Sequence, residues 1–148
     1  MKLRQIWLDG EIRLCAETET GLALLESAKT MLEFIRGGEA AAKAVLAELP
    51  AARRLASAVT APAVTGMDKI RCGGHNYRAH IGECGEREPQ WPVLFSKFPN
   101  ALGADGDVVR LDPAWEEYDY EAELVIVMGR RAKSVREEDA LSFVFGYT

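Results

Sequence analysis

Several things are missing from this 148-residue sequence, and each absence narrows what it can be. No stretch approaches the roughly 18 consecutive apolar residues that a membrane helix needs. The amino terminus, Met1-Lys2-Leu3-Arg4-Gln5-Ile6-Trp7, lacks the apolar core of a secretory signal, which leads to an expectation of a cytoplasmic protein without a membrane partner. Cysteine is scarce and odd in number. Cys15, Cys72 and Cys84 have neither a zinc-ligand spacing nor a Cys-x-x-Cys redox pair, so each reads as a small core hydrophobe or a free thiol. Basic charge is also short: 18 Lys and Arg against 23 Asp and Glu leave a net charge of -5, which argues against a nucleic-acid partner. The one basic run, Gly129-Arg130-Arg131-Ala132-Lys133, looks like a solvated turn. No internal repeat is visible. With 48% hydrophobic and 28% charged residues, the composition is that of a folded chain and not a disordered one.

What is present centres on Tyr118-Asp119-Tyr120-Glu121-Ala122-Glu123-Leu124, continuing into Val125-Ile126-Val127-Met128-Gly129. The unbroken apolar run from Leu124 to Met128 predicts a strand buried on both faces. Glu121 and Glu123 then stand at its start and, two residues apart, share one face. Two adjacent carboxylates against an apolar strand repel each other and resist desolvation, and a hard cation bound by oxygen ligands relieves both. The same pattern also fits two ordinary glutamates on a solvated strand face. Asp119 reads as a second layer behind such a site or as a strand-start residue.

The length suits one full core, or a small domain plus part of a larger one. Leu3–Leu8 and Ile12–Ala16, joined by Asp9-Gly10, predict an opening β-hairpin. From Leu22, the positions Leu25, Ala28, Leu32 and Ile35 recur at helical spacing up to Gly37-Gly38, and an alanine-rich helix from about Glu39 to Leu49 follows, closed by Pro50. Arg53–Val64 reads as a short helix or strand with a linker, and a domain boundary is expected near Thr65-Gly66-Met67-Asp68. Beyond it, Lys69–Cys72 is a strand running into Gly73-Gly74, Asn76–Glu83 has the size of two helical turns, and Val93–Ser96 is a strand delivering Lys97. Gly103–Asp107 is a turn, Val108–Leu111 a strand, and Ser134-Val135-Arg136-Glu137 a capping box opening a helix to about Phe143. Trp7, Trp91 and Trp115 are assigned to packing.

If Asn76–Glu83 is helical, His80 and Glu83 lie on one face, and a carboxylate beside an imidazole orients the ring for general-base work. A surface His-Glu pair is the plainer alternative. Lys97, leaving an apolar strand, either reaches a substrate carboxylate or an enolate, or snorkels to solvent. Arg78 and Tyr77 are weaker candidates for the same substrate.

Four segments agree in order and spacing: Lys69-Ile70-Arg71-Cys72-Gly73-Gly74-His75-Asn76-Tyr77-Arg78-Ala79-His80-Ile81-Gly82-Glu83, then Pro92-Val93-Leu94-Phe95-Ser96-Lys97-Phe98, then the Tyr120-Glu121-Ala122-Glu123-Leu124 strand, then Phe145-Gly146-Tyr147-Thr148. Together they resemble the catalytic domain of the fumarylacetoacetate hydrolase family, from about Lys69 to the last residue. Two departures stand out. Family members commonly carry proline where this chain has Phe98, and their sequence continues past Gly-Tyr-Thr into an Asn-Asp segment whose aspartate is a third metal ligand.

The expected fold is α+β: the residue pattern predicts a small α/β amino-terminal module of β-hairpin and helices (1–66) and then a mainly β part (67–148), which the resemblance implies is the first, incomplete part of a catalytic domain of mixed β-sandwich roll shape. The resemblance implies a metal-dependent hydrolase cleaving a carbon-carbon bond in a 2-oxo acid or 1,3-diketo acid such as an acylpyruvate. Alternatives are a decarboxylase or isomerase of the same family, or a non-catalytic fragment or interaction module. Glu121 and Glu123 would hold magnesium or manganese, with calcium as a third choice. His80 and Glu83 would resemble the family's water-activating dyad on a lid, and Lys97 would stabilise the anionic leaving group. The residues themselves make Tyr77 and Arg78 candidate substrate contacts, and His75 another, at a position where family members more often carry an uncharged or arginine side chain. A homodimer is the expected assembly.

Overall fold

The computed structural model describes residues 1–148 and separates into two units, one comprising Met1–Thr65 with Gly103–Thr148 and the other Gly66–Leu102. Its elements are helices beside antiparallel sheets, an α+β architecture.

In the first unit, β1 (Leu3–Leu8) and β2 (Glu11–Thr18) pair from Leu3 opposite Ala16 to Leu8 opposite Glu11. The turn between them has Asp9 at φ 52° and Gly10 at φ 82°, the two positive angles that a tight hairpin needs. β3 (Gly21–Leu24), β4 (Arg54–Leu55) and β5 (Val59–Thr60) complete an antiparallel sheet in the order β4-β3-β2-β1-β5. Leu22 therefore belongs to a strand and not to a helix. Its hairpin with β2, Cys15 opposite Leu24 through Thr18 opposite Gly21, satisfies backbone groups that a helix there would have had to satisfy itself.

The helix begins instead at Met31. α1 (Met31–Glu48) is two helical segments merged across Gly38, whose φ of 54° and ψ of -136° break the helical path where the Gly37-Gly38 pair predicts a stop. At its start the Thr30 hydroxyl accepts from Glu33 N–H at 3.2 Å, while Glu33 accepts from Lys29 N–H at 2.8 Å. This is a reciprocal cap written in the sequence as Thr30-Met31-Leu32-Glu33.

Strand alternation sends Leu14, Ala16, Ala23 and Leu25 to one sheet face, where Ala28, Met31, Phe34 and Val45 cover them. Ile6, Cys15, Leu22 and Leu24 cluster separately, with Leu8, Leu55 and Ala58 against them. Buried among these apolar groups is one polar side chain, Gln5. It donates to Pro62 O at 2.6 Å and to Thr65 Oγ at 3.3 Å, and accepts from Met31 N–H at 2.8 Å, so it ties β1 to the start of α1 and to the segment after β5.

The rest of this unit is far less covered. β8 (Ile126–Met128) pairs only with β9 (Val144–Tyr147), with one further pair of backbone hydrogen bonds between Val125 and Thr148. The expected strand from Leu124 to Met128, buried on both faces, is thus a three-residue strand, with Leu124 63% exposed. An apolar run demands cover, but a two-stranded ribbon supplies none of its own. Val108–Leu111 forms no strand and is exposed. Ser134 stands at φ 52°, outside the extended conformation an N-cap requires, so the expected α-helix is a 3₁₀ helix (Glu137–Phe143) entered through Arg136, which pairs with Glu138 and Asp139. Phe145 meets Phe34 edge-on at 5.8 Å. The tryptophans assigned to packing are exposed instead: Trp91 and Trp115 lie on segments outside any helix or strand, and Trp7 on β1 is 45% exposed.

In the second unit β6 (Ile70–Gly74) and β7 (Val93–Lys97) form an antiparallel pair, Ile70 opposite Lys97 and Gly74 opposite Val93, and α2 (Arg78–Glu83) lies between them in sequence. A Cβ on Gly74 would stand 3.3 Å from Val93 Cγ1, so the glycine permits the ribbon to close tightly there.

Candidate functional site

The second unit gathers most of the candidate residues onto one short path. β6 ends in Gly73-Gly74, and the chain turns through His75 at φ 51°, a left-handed angle that bulky residues seldom adopt. Tyr77 is the N-cap of α2 and Arg78 its first residue. Arg78 points toward Glu88 at 3.5 Å, an exposed pair of small energetic weight.

His80 and Glu83 fall on one face of α2, as three-residue spacing requires. His80 Nδ1 stands 4.0 Å from Glu83 Oε2, a separation within ion-pair range and longer than a hydrogen bond. Both groups are open to solvent, 52% and 78% exposed at the side chain. Cys84, the C-cap residue, brings its Sγ to 3.9 Å from His80 Nδ1 and 3.8 Å from Nε2. This neighbour was not singled out from sequence, although the four-residue spacing from His80 to Cys84 is itself the signal. Lys97 is the last residue of β7 and exposed; cross-strand pairing puts it on the same ribbon face as Ile70, Cys72 and Phe95.

Glu121 and Glu123 belong to the first unit, on an exposed stretch that precedes β8 and is not itself a strand. The expected placement on a core strand is therefore not realised, since pairing with β9 begins only at Val125 and Thr148. Neither glutamate is in an ion pair with a basic residue, so charge neutralisation by Lys or Arg is not what relieves them. Asp119 turns back on its own chain, accepting from Tyr120 N–H at 2.8 Å. As a donor set, two carboxylates of a Glu-x-Glu suit a hard divalent cation, but nowhere do three or more His, Cys, Asp or Glu side chains converge as metal ligands. The glutamates fit as part of a coordination shell and not as a whole one.

Comparison with known proteins agrees with the motifs. The family model described as fumarylacetoacetate (FAA) hydrolase C-terminal matches residues 69–148, and the chain belongs to that family. A mitochondrial oxaloacetate tautomerase of Bos taurus is 39% identical over 124 residues, covering 81% of this chain and 39% of its own length. A human mitochondrial oxaloacetate tautomerase matches to the same extent. A fumarylacetoacetate hydrolase of Exiguobacterium antarcticum superposes with a TM-score of 0.78 at 28% identity, over 99% of this chain and 53% of that one. The chain thus spans about two fifths of the length of those curated relatives. No helix is long and apolar enough to cross a membrane.

Proposed function

We propose that the protein containing this chain is a divalent-cation-dependent enzyme acting on small 2-oxo or 1,3-dicarbonyl acids through an enolate. The observation that supports this best is the family match across residues 69–148, which takes in the His80/Glu83 pair, Lys97 and the Glu121/Glu123 pair together. In this reading residues 1–66 are an amino-terminal module, residues 67–148 begin the catalytic domain, and the rolled sandwich and a homodimer are features of the whole protein.

The chemistry follows from what each residue can do. Removing a proton next to a carbonyl leaves negative charge on the carbonyl oxygen, and a bound magnesium or manganese ion supplies Lewis-acid stabilisation of that charge. Glu121 and Glu123 would provide two of the ion's oxygen ligands. His80, held by Glu83, takes up and returns the proton, as a ring with a paired carboxylate is suited to do. Lys97 contributes a fixed positive charge for the substrate's anionic end, and Arg78 a second one, with Tyr77 and His75 lining the approach.

Among the outcomes open to such an enolate, the names of the relatives favour keto-enol isomerisation of oxaloacetate over hydrolytic carbon-carbon cleavage. Hydrolysis of an acylpyruvate is the second reading, favoured by the fumarylacetoacetate hydrolase neighbour. A non-catalytic module is the third. The cytoplasmic expectation rests on the amino terminus and the lack of a membrane-length apolar run, whereas those relatives are named as mitochondrial. Spectrophotometric assays of oxaloacetate enol decay and of acylpyruvate cleavage, with magnesium and manganese, separate the three. The expected result is acceleration of enol decay, reduced about 10² to 10⁴ fold in His80→Ala. Full activity in His80→Ala would overturn the role given to that residue, and inactivity toward both substrates would favour the module.

A further inference from the structure

The geometry points to a cation site apart from Glu121 and Glu123: His80 and Cys84 form a two-ligand clip for a thiophilic divalent ion of the zinc class. Cys84 Sγ stands 3.8 Å from His80 Nε2 and 3.9 Å from Nδ1. A tetrahedral zinc ion, about 2.3 Å from sulfur and about 2.1 Å from nitrogen, holds those two ligands about 3.6 Å apart. Sulfur and ring thus already stand near the spacing an ion would impose. The sulfur lies on neither nitrogen's lone pair, so the ring must turn about its side-chain bonds to face the ion, and its 52% exposure leaves room for that turn.

The backbone keeps the pair together. Four-residue spacing puts both side chains on one helix face, and Cys84 N–H donates to His80 O at 3.0 Å. Glu86 N–H donates to Ile81 O at 3.1 Å, and Ile81 is the buried residue of α2, so the helix is anchored through Ile81 while Cys84 is exposed. The donor set selects the ion: thiolate and imidazole suit zinc and its heavier relative cadmium, whereas magnesium and manganese favour oxygen. Ligation replaces the Cys84 S–H bond by a sulfur–metal bond and releases one proton to solvent. No third side chain converges as a ligand, so water fills the remaining positions. On the reading of His80 as the base, an ion in the clip takes its lone pair and silences it.

The experiment is a cadmium titration of the reduced, full-length chain with excess magnesium present, followed by the ultraviolet thiolate-to-cadmium charge-transfer band. Wild type should develop the band to saturation at one ion per chain, and added zinc should remove it. Cys84→Ser should abolish the band, and His80→Ala should move the titration to higher cadmium concentration. Cys72→Ser and Glu121→Ala/Glu123→Ala should leave it in place. With circular dichroism showing each variant folded, a wild type without the band, a band that survives Cys84→Ser, or an unchanged titration in His80→Ala would overturn the proposal. The readout needs no turnover, so it succeeds or fails independently of the proposed activity.

Discussion

At the scale of single residues, burial decides which groups are structural and which are available for chemistry. Gln5 is fully buried with three hydrogen-bond partners on two other segments. Gln5→Leu would leave Met31 N–H and Pro62 C=O without partners, at about 1 to 3 kcal/mol for each unsatisfied group, and thermal denaturation should show the loss as a lowered Tm. The three cysteines form a graded series: Cys15 buried, Cys72 intermediate, Cys84 exposed. Desolvation pushes the Cys15 thiol above its ordinary pKa, with the nearby Arg13 guanidinium partly opposing the rise. Because the folded-state value is raised, this group's stabilising contribution is complete below the unfolded thiol value of about 8.5 and is lost as pH rises through the folded one. Urea unfolding midpoints should therefore decline more steeply between neutral and alkaline pH in wild type than in Cys15→Ala. Thiol counting with a maleimide should find Cys84 first and Cys15 only on unfolding; prompt labelling of Cys15 would contradict its burial.

At the scale of elements, what was legible in the sequence was local. Asp9-Gly10 announces its hairpin because the turn chemistry is contained in two residues, and β6, α2 and β7 fall where expected because Gly73-Gly74 and Pro92 punctuate them. Helical periodicity from Leu22 misleads because Leu22 and Leu24 satisfy strand alternation as well, and pairing with β2 decides between the two. The true start lay in Thr30-x-x-Glu33. Thr30→Ala should cost about 1 kcal/mol in urea unfolding, the usual worth of such a cap. For Ser134, the matching Ser-x-x-Glu pattern was no guide, because the backbone there is left-handed and the side chain makes no cap.

At the scale of the whole molecule, the core is concentrated in residues 1–65, whereas large apolar side chains from Val93 through Tyr147 are mostly exposed. Burial is where sequence reading of Leu124–Met128 fell short. An apolar run states that a strand seeks cover without saying what covers it. Exposed apolar ribbons of this kind bind hydrophobic dyes and associate. Anilinonaphthalene sulfonate fluorescence should rise on adding this chain, and Ile126→Lys should reduce it; an unchanged dye signal would place the dye elsewhere. Of the candidate site, His80/Glu83 was legible because three-residue spacing on a helix fixes proximity. The Glu121/Glu123 pair was legible as a motif but not as a geometry, since its backbone has no strand partners.

The most direct test of the account is whether Glu121 and Glu123 take a divalent cation. Electron paramagnetic resonance titration of Mn²⁺ into metal-free protein of verified 16.3 kDa mass reports free ion directly and detects weak as well as tight sites. The account predicts saturable binding at one site, competed by Mg²⁺ and abolished in Glu121→Ala/Glu123→Ala. Binding that survives unchanged in the double variant would contradict it.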